Sequence, residues 1–265
     1  MTAVSTLTDD EVARFVDEGF VALREAFPGA LADECRSILW RMIGLDPDDP
    51  AGWTRPVIRL DGSGETPFRQ AANTPRLCGA YDQLVGAGRW RPRTGLGTFP
   101  IRDGAYLPPG ETWFWLNLRS RDRALLMLFL FSDVGPDDAP TRIKVGSHLD
   151  VPPFLAPAGE RGRNGLDLCR EMDAAGKLDS PDRPVALATG QAGDVYLCHP
   201  FLIHGAQRHH GSVPRFLAQP PLDPTGLLNL DRADGSYSPV ELAVRRALPG
   251  VRDVSAPAAD NPAPG

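Results

Sequence analysis

Residues 193–220 read GDVYLCHPFLIHGAQRHHGSVPRFLAQP, and the reading of this stretch decides the fold. Gly193 and Asp194 make a turn, residues 195–198 form an apolar strand, and Pro200 breaks it. His204 opens the next extended segment, and Arg215 follows eleven residues later, just ahead of the apolar run 216–218. On neighbouring antiparallel strands such a pair can face one cavity. The imidazole would then hold a metal, and the guanidinium would clamp a carboxylate with its bidentate fork. His199, His204, His209 and His210 all fall within twelve positions, which points to a metal or acid–base site although histidine density alone is a weak signal. The plain alternative for Arg215 is a surface ion pair of little energetic worth. His209 and His210 sit in a Gly-flanked polar loop and read as solvated.

Working outward, short apolar runs at 96–101, 112–118, 124–131, 141–145, 184–188, 194–198 and 215–219 are separated by Gly, Pro and Asp. This spacing predicts a β-sandwich or closed β-roll. A helical insert is expected over 166–175 and a closing helix over 239–248. The first third reads mainly helical. Thr8 is a good N-cap, with Asp9, Asp10 and Glu11 in the first turn, where acids suit the helix dipole. A strand follows over 20–23, then helices over 31–43 and 75–85. Helices first and strands afterwards predict an α+β chain, mainly β at its core, with the N-terminal helices packed outside.

The 265 residues suit a single domain over 1–250, followed by a disordered Pro/Ala-rich tail over 251–265. A formal net charge of −6 argues against nucleic acid or an anionic membrane as partner, since both demand a basic surface. The longest apolar run, 124–131, is far short of a membrane span, and the N-terminus lacks a signal-peptide pattern. The four cysteines form no CxxC pair and read as reduced thiols. A cytoplasmic protein acting on a small molecule is the expectation, with the oligomeric state open.

The stretch 193–220 resembles the distal half of the site in the phytanoyl-CoA dioxygenase family of iron(II)- and 2-oxoglutarate-dependent oxygenases. Residues 123–148, RALLMLFLFSDVGPDDAPTRIKVGSH, resemble that family's central strand pair, and residues 7–27 its N-terminal helix and strand. The resemblance implies a double-stranded β-helix (a jelly roll, cupin-like). It implies His204 as an iron ligand and Arg215 as the residue that binds the distal carboxylate of 2-oxoglutarate. It makes His199 a frequent companion rather than a ligand, while His148 reads as a structural turn histidine. It implies a dioxygenase that hydroxylates a C–H bond of a small organic substrate and releases succinate and carbon dioxide.

The family's first two ligands come as His-x-Asp, and here no histidine precedes His148. Residues 97–102 (GTFPIR) and 103–121 (DGAYLPPGETWFWLNLRSR) resemble the two flanks of that motif, joined without the loop between them. On this alignment Asp103 is the carboxylate ligand and Ile101 stands where the histidine would be. Asp103 also reads as a turn residue in Arg-Asp-Gly. Either the protein carries a histidine-bearing loop that the 265 residues lack, or the loss is genuine and the chain is an inactive jelly-roll binding module. The retained Asp103 weighs against halogenation. Ala206 stands where a hydroxyl residue often contacts 2-oxoglutarate. A cupin-type hydrolase or isomerase is a third reading, and it would need no arginine at this spacing. Trp113 and Trp115 lie on a strand of which one face lines either the core or the pocket.

Overall fold

A computed structural model of the chain describes residues 6–49, 52, 53, 55, 57–102, 115–178 and 182–249. The chain begins α1 (Asp9–Glu18), β1 (Phe20–Leu23), α2 (Gly29–Ile43), β2 (Val57–Ser63), α3 (Thr66–Ala72), α4 (Pro75–Val85) and β3 (Leu96–Arg102). It continues with β4 (Trp115–Leu116), β5 (Leu125–Leu130), β6 (Arg142–Lys144), α5 (Val151–Leu155), β7 (Arg163–Asn164) and α6 (Gly165–Ala174). It closes with β8 (Val185–Leu187), β9 (Val195–Cys198), β10 (His204–Gly205), β11 (Leu217–Ala218), β12 (Pro221–Leu222) and α7 (Pro239–Arg246).

Local chemistry explains the helix ends. The Thr8 hydroxyl accepts from the Glu11 amide while the Glu11 carboxylate accepts from the Thr8 amide, a reciprocal capping box that starts α1. Ser238 and Glu241 repeat the device at α7. Gly19 ends α1 at φ +89°, which only glycine adopts freely. A Cβ there would stand 2.4 Å from the His148 ring, so the close approach needs glycine as well.

Two antiparallel sheets form the centre. The larger runs β1–β9–β5–β11, with β12 also pairing β5. The smaller runs β10–β6–β8. Beside them β2 pairs β3, and β4 pairs β7. The run LLMLFL of β5 is buried at every position, and alternation along a strand shows why. Leu125, Met127 and Phe129 join the core under the helices, while Leu126, Leu128 and Leu130 join a second core with Ile143 and Ala188. A strand covered on both faces has no polar face to show. Val195 and Leu197 of β9 point to the helices, and Tyr196 and Cys198 to the smaller sheet. The mixture of outer helices and antiparallel sheets is compatible with a jelly roll.

The expected elements form with shifted ends, the extended segment at His204 shortened to the two residues of β10, while β2, α3, α5 and the two-residue strands β7 and β12 were not expected. Asp103, Trp113 and the tail 251–265 lie outside the described residues. Trp115 is half exposed. The solvated reading of His209 is corrected: the ring is buried, with Nδ1 and Nε2 beside the carbonyls of Gly211 and Val213. The four cysteines are free thiols. No helix among the described residues is long and apolar enough to cross a membrane.

Candidate functional site

Register fixes where His204 points. It pairs directly with Ile143 across β10 and β6. Directly opposed residues of an antiparallel pair share a face. Ile143 is wholly buried between the sheets, so His204 also turns into the inter-sheet space. The ring is half-buried, and its Nδ1–H donates to the Leu202 carbonyl at 3.0 Å. A carbonyl only accepts, so this bond sets the tautomer and leaves the Nε2 lone pair as a donor for a metal. Burial lowers the imidazole pKa below 6.5; the bond to Leu202 opposes the shift, and the positive charge of Arg123 adds to it. The ring is therefore neutral at pH 7, the form that binds metal.

Arg215 is reached from the other sheet. Phe216 packs under the helices and Leu217 between the sheets, which puts Arg215 on the inter-sheet side. It is 2% exposed, and the surface ion-pair reading fails for that reason. One arm of its guanidinium donates to the Ala139 carbonyl, and the other to the Pro100 carbonyl at 3.2 Å. These bonds tie the start of β11 to β3 and to the turn before β6.

His204 borders a small cavity of about 120 Å³ whose walls include Leu116, Arg123, Leu168, Met172 and Leu202. Arg215 is not among its lining residues. Arg123 escaped the sequence reading. Its one signal was its place immediately before the longest apolar run, at the end of Arg-Asp-Arg, where it passes for a solvated charge.

His148 and His199 do not join His204. Their rings lie 4.8 Å apart, and both are fully buried. His148 Nε2–H donates to the Val16 carbonyl at 3.0 Å. His199 Nδ1 accepts from the Phe201 amide, so its Nε2–H donates to the Val240 carbonyl at 3.2 Å. The pair ties α1 and α7 to the Gly-Ser-His turn. Among the described residues no group of three or more His, Cys, Asp or Glu side chains comes together as a metal site.

No protein-family model matches the chain, and no curated protein matches it in sequence. Solved structures do share its fold. HygX from Streptomyces hygroscopicus, solved with nickel and 2-oxoglutarate bound, is 23% identical at a TM-score of 0.54, over 83% of this chain and 88% of that one. SnoN, a non-haem α-ketoglutarate-dependent epimerase from nogalamycin biosynthesis, is 16% identical at a TM-score of 0.51, over 80% and 78%. EctD from S. alaskensis, solved with 2-oxoglutarate and 5-hydroxyectoine, is 16% identical at a TM-score of 0.50, over 83% and 77%.

Proposed function

We propose that the chain is an iron(II)- and 2-oxoglutarate-dependent oxygenase on a double-stranded β-helix, similar to the phytanoyl-CoA dioxygenase family. In this reading it hydroxylates a C–H bond of a small organic molecule. The observation that carries the reading is the His204 ring, turned to the face of Ile143 with its Nδ1–H held by the Leu202 carbonyl, together with the burial of Arg215 just before β11. The fold shared with HygX, SnoN and EctD supports it.

His204 would ligate iron through Nε2, with Asp103 as the carboxylate ligand; a ring held by the Leu202 carbonyl suits that task. Arg215 would pair the far carboxylate of 2-oxoglutarate. Bound iron and 2-oxoglutarate supply the oxidising chemistry with dioxygen, releasing succinate and carbon dioxide. The chain's own part is to orient the substrate and exclude water, which its apolar walls do.

A second reading keeps the fold and removes the chemistry. Ile101, in the place of the family's histidine, is wholly buried in the apolar core under the helices. The described residues thus offer His204 alone, and a chain without a histidine there would be a jelly-roll module that binds a carboxylate ligand without turnover. Anaerobic calorimetry of 2-oxoglutarate, with and without iron(II), on wild type and Arg215→Ala separates the two. Binding that needs both iron and Arg215 supports the oxygenase. Iron-independent binding that needs Arg215 supports the module, and no binding refutes both.

A further inference from the structure

The bond that holds the His204 ring has a second end. The Leu202 carbonyl, which accepts from His204 Nδ1–H at 3.0 Å, belongs to the same peptide unit as the Ile203 amide. That amide donates to the Ser147 hydroxyl oxygen at 2.9 Å. A peptide unit is planar, with its C=O and N–H pointing opposite ways, so an acceptor for the amide fixes the direction of the carbonyl. The neighbouring groups are held as well. The Ile203 carbonyl accepts from the Lys144 amide at 3.0 Å, and the Leu202 amide donates to the His199 carbonyl at 3.0 Å. Ser147 itself is wholly buried and opens the short helical turn Ser147–Leu149. The Gly146 amide before it donates to the Glu18 carbonyl at 2.8 Å, and His148 after it donates to the Val16 carbonyl, so α1 carries the turn.

We propose that Ser147 is a positioning residue for His204. Its hydroxyl oxygen holds the peptide between Leu202 and Ile203, the carbonyl of that peptide holds Nδ1–H, and the ring presents the Nε2 lone pair in one direction. Hydrogen bonds in such a chain polarise one another, so an amide that donates has a carbonyl that accepts more strongly. Without the Ser147 oxygen the half-buried Ile203 amide loses its partner, and the peptide turns to find another. The carbonyl turns with it, and the ring loses the bond that selects its tautomer. The other tautomer carries its proton on Nε2 and has no lone pair there for a metal. Groups standing behind a ligating histidine set ring and tautomer in this way. The consequence for metal binding rests on the reading of His204 as a ligand, whereas the bridge from Ser147 to the ring exists without a metal.

Two measurements on the full chain test this. Proton–nitrogen spectra of the labelled, metal-free protein report the tautomer of each imidazole, and His204→Gln assigns the signal. Wild type should show the Nδ1–H form, and Ser147→Ala should bring in the Nε2–H form. Cobalt(II), titrated and followed by its visible absorption, should bind Ser147→Ala about tenfold or more weakly than wild type. Ser147→Thr, which keeps the hydroxyl oxygen, should return both readings towards wild type. A merely structural serine would lower Tm and leave the ring of the folded molecules unchanged. Should Ser147→Ala fail to fold, Ser147→Cys, close in size but a weak acceptor, carries the same test. A wild-type ring in the Nε2–H form, or a ring spectrum that neither substitution changes, overturns the proposal. If wild type binds no cobalt(II) and the tautomer still shifts, the oxygenase reading fails and the role of Ser147 stands. If cobalt(II) binds and neither tautomer nor affinity responds to the substitution, the reverse holds.

Discussion

Replacing Glu241 by alanine should cost about 3 kcal/mol of stability, although the residue lies away from the cavity of His204. Its carboxylate is 2% exposed and accepts five hydrogen bonds. Oε1 receives the Asn229 amide at 2.9 Å and Arg232 Nη2 at 2.7 Å. Oε2 receives Arg232 Nε at 2.9 Å, Arg89 Nη1 at 3.0 Å and the Ser238 amide at 3.0 Å. The group joins α7 to the segment before it and to Arg89 in the loop that follows α4. Breaking a buried ion pair from one side costs about 3–5 kcal/mol. The lower end applies because the stranded cations regain water: the Arg89 side chain is 37% exposed and that of Arg232 17%. For a chain of this size, 3 kcal/mol lowers Tm by roughly 6–12 °C. Urea unfolding of wild type, Glu241→Ala, Arg89→Ala and the double variant gives the total and the Arg89 share, for which about 0.5–1 kcal/mol is expected. A loss under about 1 kcal/mol for Glu241→Ala, or a larger coupling to Arg89 than to Arg232 in a matching cycle, would refute the reasoning.

The buried His148–His199 pair predicts acid sensitivity. Burial is the main reason that the His148 pKa falls from 6.5 to about 4, and His199 is lowered by burial and by His148. A depressed histidine contributes stability that is full above 6.5 and is lost as pH falls towards 4, because the unfolded chain takes the proton first. The loss is on the order of 3 kcal/mol for His148, and urea midpoints at pH 7.5 and 4.5 should fall more steeply in wild type than in His148→Gln. Equal slopes would exclude the pair as the cause. Gly19→Ala should cost about 2 kcal/mol or more, since it forces a side chain into φ +89° and towards the His148 ring, and a Tm within about 2 °C of wild type would contradict that steric account.

Much of this was legible in the residues because the causes were local. The capping box at Thr8 lies within four residues, and the unbroken apolar run of β5 announces a strand covered on both faces. The strands β7 and β12 are two residues long, and no period can be read from two positions. β2 hides for another reason: VIRLDGS carries Asp and Gly, and most of its positions are not buried. The inward turn of Arg215 was legible as a possibility, since strand alternation allowed it, but its burial came from carbonyls of Pro100 and Ala139 far along the chain. Arg123 was illegible, because only the folded chain brings its charge beside His204. His209 misled for a local reason, a tight loop that returns two carbonyls to the ring.

The place of β1 at the edge of the larger sheet sets a timetable for biosynthesis. Its Leu23 pairs with Val195, 172 residues further along the chain. At roughly 5–20 residues per second, a ribosome needs on the order of 10–30 seconds to deliver that partner. For that interval Val21 and Leu23, which end in the core, have no sheet to join. Helix α1 can form beside them within microseconds, so the helix is old by the time its neighbouring strand finds a place. The larger sheet is finished from its late strands, and the first strand made is among the last to be used.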